Sequence, residues 1–236
     1  MRSFAARSPE LELMDDPAVG KAEFAACLGD LAKVNAVTLA RPPTLAWLAR
    51  ATRDLPKGSA FSLVDVGSGQ GDMLRAIHRW ARRRGLEPRL IGVDLNPWSE
   101  PAAIAATDPN LGIEYRTGDV FETVFDEPVD FIVSSLVTHH MTDDQVTDFL
   151  RWMERTARRG WFVNDLRRHW FAFYGFVLLA HVAGWNRFVR HDGPVSVARA
   201  FTRSDWETLI GRARLRDAGL TLNRVFPFRL CVGHIK

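Results

Sequence analysis

The sequence predicts an α/β protein whose sheet is mostly parallel and covered by helices on both faces. Three observations predict it. Between residues 60 and 166 short apolar strands alternate with amphipathic helices; the strands are apolar throughout instead of alternating; and glycines or carboxylates stand at their C-terminal ends. With 236 residues, 47% of them hydrophobic and 25% charged, the chain has ordinary globular composition and can fill a sizeable core.

Residues 1–20 read as a loose polar arm without the apolar run of a secretion signal. Residues 21–54 turn helical, with Phe24, Leu28 and Leu31 and then Leu45 and Leu48 at helical steps, broken at Pro42-Pro43. Residues 61–66 (FSLVDV) form the first strand and stop at glycines. A helix follows over 72–84, with Met73, Leu74, Ile77, Trp80 and Ala81 on one face and Gly85 where a left-handed cap residue falls. Strands are predicted over 89–93, 112–116 and 129–134. A helix carrying Val146, Phe149, Leu150, Met153 and Ala157 comes next, then a fifth strand over 161–164. The alternation stops after Asp165. A mostly apolar helical insertion covers 167–190, Thr202 with Asp205 three residues on reads as a helix start, and 222–225 and 229–235 read as a terminal hairpin. The sheet then has seven strands. One domain results: arm and cap helices in 1–58, the core in 60–166, the insertion or lid in 167–200, and the last helix and hairpin in 201–236.

The net charge is only +3. The arginine runs at 82–84, 158–159 and 167–168 read as solvated faces, with acidic lipid or nucleic acid as the alternative. Cys27 and Cys231 form no CxxC pair and no metal spacing, so a reduced, cytoplasmic protein is expected. The apolar stretch 170–185 is interrupted by Gly175, His181 and Gly184 and is short of the roughly 20 residues that cross a bilayer. No membrane span is expected, with weak peripheral contact left open. Residues 170–179 are apolar nearly all round, which suits core packing, a lid over a lipophilic acceptor or an interfacial helix.

The densest signal is Val64-Asp65-Val66-Gly67-Ser68-Gly69-Gln70-Gly71-Asp72. A glycine-rich turn between strand and helix lets a ligand approach the backbone closely. The spacing is GxGxG. Asp65 and Asp72 flank the place where a dinucleotide would put its pyrophosphate, and they suit a cationic, amino-acid-bearing ligand instead. Asp94 closes the second strand, where a carboxylate accepts the hydroxyls of a ribose, and Gly118-Asp119-Val120 follows the third, placed to meet an adenine edge.

On these residues the sequence resembles the class I methyltransferases that use S-adenosylmethionine. VDVGSGQGD is similar to their first motif, IGVDLN to their acidic second, GDVF to their third and DFIVSSL to their fourth. The resemblance covers residues 60–166 and implies a Rossmann-like domain with S-adenosylmethionine as cofactor. It implies that Gly67, Gly69 and Gly71, with Asp65 beside them, pass under the methionine and ribose. Asp94 would hold the ribose, Leu95 would pack on the adenine, Asp119 and Val120 would meet the adenine edge, and Ser134 would sit near the sulfonium. The segments Glu12-Leu13-Met14-Asp15, THHM at 138–141, VNDLRRH at 163–169 and HDGPVSVARAFT at 191–202 resemble a bacterial subgroup. That subgroup is related to the ubiquinone and menaquinone methyltransferases and associated with phenolic polyketides.

Methyl transfer to a phenol gains from a base, and His139 and His140 follow the fourth strand, where the methyl group should point. His139 is the preferred base, with structural hydrogen bonding as the other reading of the pair. His191-Asp192 could polarise an acceptor hydroxyl, yet Asp192-Gly193-Pro194 also reads as a plain turn. Trp170, Tyr174 and Asp192 are the expected acceptor contacts. Resemblance to the magnesium-dependent catechol methyltransferases would imply an acid after the fourth strand and an Asp-Asn pair after the fifth; Asn164-Asp165 follows the fifth strand here, but Ser134-Ser135 follows the fourth, so one hard-oxygen ligand is missing. His139, His140, Asp143 and Asp144 have no recognised ligand spacing, and no metal is expected. The expected partner is a small lipophilic aromatic substrate, methylated at oxygen or, alternatively, at a quinol-type ring carbon. No nucleic acid is expected, and the protein would be a monomer or homodimer.

Overall fold

The computed structural model describes residues 4–16, 18–215 and 219–236. Helices α1 (Lys21–Val37) and α2 (Arg41–Ala51) precede the first strand. The chain breaks between them, and Pro42 and Pro43 lie in the first turn of α2, where proline is tolerated because its missing N–H has no intrahelical partner. The core runs β1 (Ala60–Val66), α3 (Asp72–Arg83), β2 (Glu87–Asp94), α4 (Ser99–Ala106), β3 (Glu114–Thr117), β4 (Phe131–Ser135), α5 (Asp143–Thr156) and β5 (Gly160–Leu166). It is followed by α6 (Trp170–Val182), α7 (Arg187–Arg199), α8 (Arg203–Ala213), β6 (Leu220–Val225) and β7 (Arg229–Ile235).

The seven strands form one sheet in the order β3-β2-β1-β4-β5-β7-β6. β1 to β5 are parallel, while β7 runs antiparallel to both β5 and β6. Strand order reverses between β1 and β4, and a crevice opens at the C-terminal ends of the strands there. Both faces are buried, as continuous apolar strands require. On one side Val64, Ile91, Ile132, Trp161 and Val232 pack under α5 and α8. On the other, Leu63, Leu90, Phe131 and Phe162 pack under α2 and α3, with Trp47 stacked on Phe162 at 5.2 Å. α8 starts on the Thr202–Asp205 capping box and α5 on a second one, Thr142–Gln145. Among the described residues no helix is long and apolar enough to cross a membrane.

Three expectations are corrected. Asp192-Gly193-Pro194 is not a turn but lies inside α7. A Cβ on Gly193 would stand 2.0 Å from the Phe176 ring, so the glycine lets α6 and α7 approach closely, and burial of Val189, Val195 and Val197 carries the helix through the proline. The arm is not loose over residues 4–16. Arg199 donates to the Glu10 carbonyl, Arg168 to that of Phe4 and Ser8 to that of Ala198. Arg168 is therefore no solvated charge: it is buried, bonded to the Ala200 carbonyl at 2.7 Å and paired with Asp205 at 3.0 Å. In addition, α4 forms where the sequence suggested no element; it buries little beyond Ser99 and Ala103, too few for an apolar stripe.

Candidate active site

Beyond Val66 the chain turns through Gly67, Ser68, Gly69, Gln70 and Gly71 into α3. Gly67, Gly69 and Gly71 have φ of +73°, +50° and +73°. A Cβ would stand 2.2 Å from Val137 at Gly67 and 2.2 Å from the Tyr115 hydroxyl at Gly71, so the turn excludes side chains at both. Gly67 donates its N–H to the Val93 carbonyl at 2.8 Å, which ties the turn to β2.

Asp94, at the end of β2, reaches back under this turn. Its Oδ2 accepts the Gly69 N–H at 2.8 Å and its Oδ1 the Asn96 N–H at 2.9 Å. Burial pushes its pKa up, with the two amides opposing. Asp119, after β3, accepts the Phe121 N–H at 2.9 Å. Asp65 is buried at the end of β1, and its Oδ1 has no hydrogen-bond partner among the described residues. Burial first, then the charges of Asp72 and Asp94, push its carboxyl well above the usual range. Asp65, Asp94 and Asp119 line one cavity of about 920 Å³ together with Gly67, Gly69, Leu95 and Val120. Gly71 lies behind this wall on Tyr115. Ser134 is buried and donates to the Val66 carbonyl at 3.0 Å, so its neighbour Ser135 faces the cavity in its place.

The facing wall of the same cavity carries the histidines. His139 is buried, with Nδ1 on Asp165 Oδ1 at 2.7 Å and Nε2 3.5 Å from Glu12 Oε1. Thr138 and the His139 amide donate to the other Asp165 oxygen. Burial opposes a charge on this ring, but Asp165 and Glu12 outweigh it and hold His139 up at about 10, while the imidazolium holds Asp165 down at about 2. With the ring buried, Nδ1 bonded to Asp165 and Nε2 facing Glu12, this environment favours the protonated ring and runs against the preference for His139 as the base. His140 is partly exposed to the cavity, with Nδ1 on Asp15 at 3.1 Å and Nε2 3.8 Å from Glu12 Oε2. Burial would raise the Glu12 carboxyl, yet His139, His140 and Ser196 hold it below the usual range.

Asp192 lines the cavity but also serves the scaffold, and His191 serves the scaffold alone. Asp192 accepts the Leu13 and Met14 N–H groups at 2.7 and 3.1 Å and so fixes the short turn that delivers Glu12. His191 bonds Asp192 at 2.8 Å, faces Glu10 at 3.5 Å and stays outside the cavity wall. The cap is lined by Phe171, Ala172, Gly175, Phe176 and Leu179 of α6 and Val189 and Val197 of α7. Trp170 and Tyr174 point away from it and are 55% and 43% exposed; a helix apolar all round gave no sign of which face turns inward. Sequence reading missed Glu12 as a site residue and Asp165 as the brace of His139.

This turn and sheet order are similar to those of known proteins. Residues 63–160 match the family model for a methyltransferase domain. An uncharacterized methyltransferase of Staphylococcus carnosus (strain TM300) is 29% identical over 91 residues, which are 39% of this chain and 39% of that protein. The match thus spans well under half of that relative. The solved structure of the plantazolicin methyltransferase BpumL in complex with SAH superposes with a TM-score of 0.67 at 14% identity, covering 94% of this chain and 91% of that one. Human N-acetylserotonin methyltransferase in complex with SAM gives 0.58 at 15% identity, covering 92% of this chain and 56% of that one. At such identities the likeness is one of fold. Residues 63–160 are thus similar to a methyltransferase domain, and the chain shares the fold of these solved structures.

Proposed function

We propose that the protein is an S-adenosylmethionine-dependent methyltransferase that methylates a hydroxyl of a small lipophilic acceptor, phenolic or polyketide-like. One observation carries the reading: a single cavity joins the acidic crevice at the glycine turn to the histidine–carboxylate cluster under an apolar cap. Its volume of about 920 Å³ is at the upper end for small-molecule sites, with room for a nucleoside and an acceptor together.

The residues fit the cofactor. Asp94 offers carboxylate oxygens to ribose hydroxyls, Gly67 and Gly69 leave their backbone open to the cavity, and the unpartnered oxygen of Asp65, beside Asp72 and Asp94, suits a cationic ligand. When bound, S-adenosylmethionine supplies a methyl group activated by positive sulfur. Everything else falls to the chain. α6 and α7 exclude water and give an apolar acceptor its binding surface. His140 accepts the hydroxyl proton on Nε2, oriented by the Nδ1 contact to Asp15.

The test is incubation with labelled S-adenosylmethionine and a panel of lipophilic phenols, read by mass spectrometry and NMR. A methoxy product is expected. A ring methyl would move the transfer to carbon, and no labelled product from any acceptor would overturn the reading. His140→Ala should lower kcat by roughly a hundredfold or more; an unchanged rate would remove His140 from its role.

A further inference from the structure

The geometry points to a divalent transition-metal site of the Zn²⁺ type formed by Glu12, His139 and His140. The Glu12 carboxylate and one ring nitrogen from each histidine lie within 4.8 Å of one another. Glu12 Oε1 is 3.5 Å from His139 Nε2, and Oε2 is 3.8 Å from His140 Nε2. Ligands at about 2.0–2.1 Å from a tetrahedral ion lie about 3.4 Å apart, so a small contraction closes the set.

A second, independent feature makes this more than two histidines beside an acid. Each imidazole turns Nε2 toward Glu12 while its Nδ1 rests on a carboxylate of its own, Asp165 at 2.7 Å and Asp15 at 3.1 Å. Carboxylate–histidine pairs of this kind fix the ring and its tautomer behind metal ligands. Two nitrogens and one oxygen suit a first-row transition ion, whereas magnesium and calcium prefer oxygen alone. Three protein ligands leave a fourth position open toward the cavity.

The inference rests on the proposed function only for the use of that position. There the ion binds the acceptor's oxygen, whose proton leaves to solvent, and takes over the task given above to His140, which becomes a ligand. Arg199 lies 3.7 Å from Asp15.

The experiment uses the full chain, stripped with chelator and titrated with Zn²⁺ and with Co²⁺. One equivalent of Zn²⁺ should bind, and Co²⁺ should give the visible absorption of a low-coordinate nitrogen–oxygen site. Glu12→Gln and His140→Ala should each weaken Zn²⁺ binding by at least about a hundredfold and Asp15→Asn by about tenfold, with Asp143→Asn unchanged. Variants are compared only where S-adenosylhomocysteine affinity and circular dichroism match wild type; the Co²⁺ spectrum of the wild-type chain stands without them. No stoichiometric ion, or binding indifferent to Glu12 and His140, overturns the inference and leaves a buried ion-pair cluster. Stoichiometric metal without methyl transfer to any acceptor would instead overturn the proposed function and leave the site standing.

Discussion

Asp94 shows how much a single residue in this site is asked to do. Its two oxygens hold the Gly69 and Asn96 amides at 2.8 and 2.9 Å, so it shapes the glycine turn as well as facing the cavity. Asp94→Ala should weaken S-adenosylhomocysteine binding by tenfold or more, about 1.4 kcal/mol, because buried amides lose their acceptor along with the ribose contact. Calorimetry returning wild-type affinity would contradict the assignment. Asp94 was legible in the sequence because an acid closing a parallel strand can only point into the crevice. Glu12 was not, because nothing local ties a polar arm to histidines so distant in the chain. His139 was half legible: its place followed from β4, but its charge depends on Asp165 and Glu12, which arrive from two other segments.

At the scale of elements, α7 governs the site without forming the crevice. Asp192 receives the amides of Leu13 and Met14, and Arg199, the last residue of α7, holds the Glu10 and His140 carbonyls at 3.2 Å. Asp192→Ala should cost about 1–3 kcal/mol in denaturant unfolding, free the arm to limited proteolysis and slow methyl transfer, while S-adenosylhomocysteine affinity holds. An arm as protease-resistant as wild type would show that α7 does not position Glu12. The helix itself was misread as a turn at Asp192-Gly193-Pro194. Turn chemistry dominates a local reading, whereas here the packing of Gly193 on Phe176 and the burial of the flanking valines decide the conformation.

Across the whole molecule the two cysteines report on the integrity of the fold. Cys27 in α1 and Cys231 in β7 are both buried, and burial pushes each thiol up to about 12. Native protein at pH 8 should therefore resist iodoacetamide at both positions, and unfolded protein should be alkylated at both; mass spectrometry distinguishes the two. Rapid native labelling of Cys27 would show that α1 opens from the cavity it walls. The sequence by itself determined the sheet, its parallel core, the glycine turn and the acids at the strand ends, because strand period, capping and backbone freedom are local properties that residue type controls. Only the tertiary structure decided which face of α6 looks inward, that the arm folds back onto α7, and that Glu12, His139, His140, Asp15 and Asp165 share one charge-coupled cluster. Those outcomes depend on burial and on Coulomb interactions between groups that are neighbours in space and strangers in sequence.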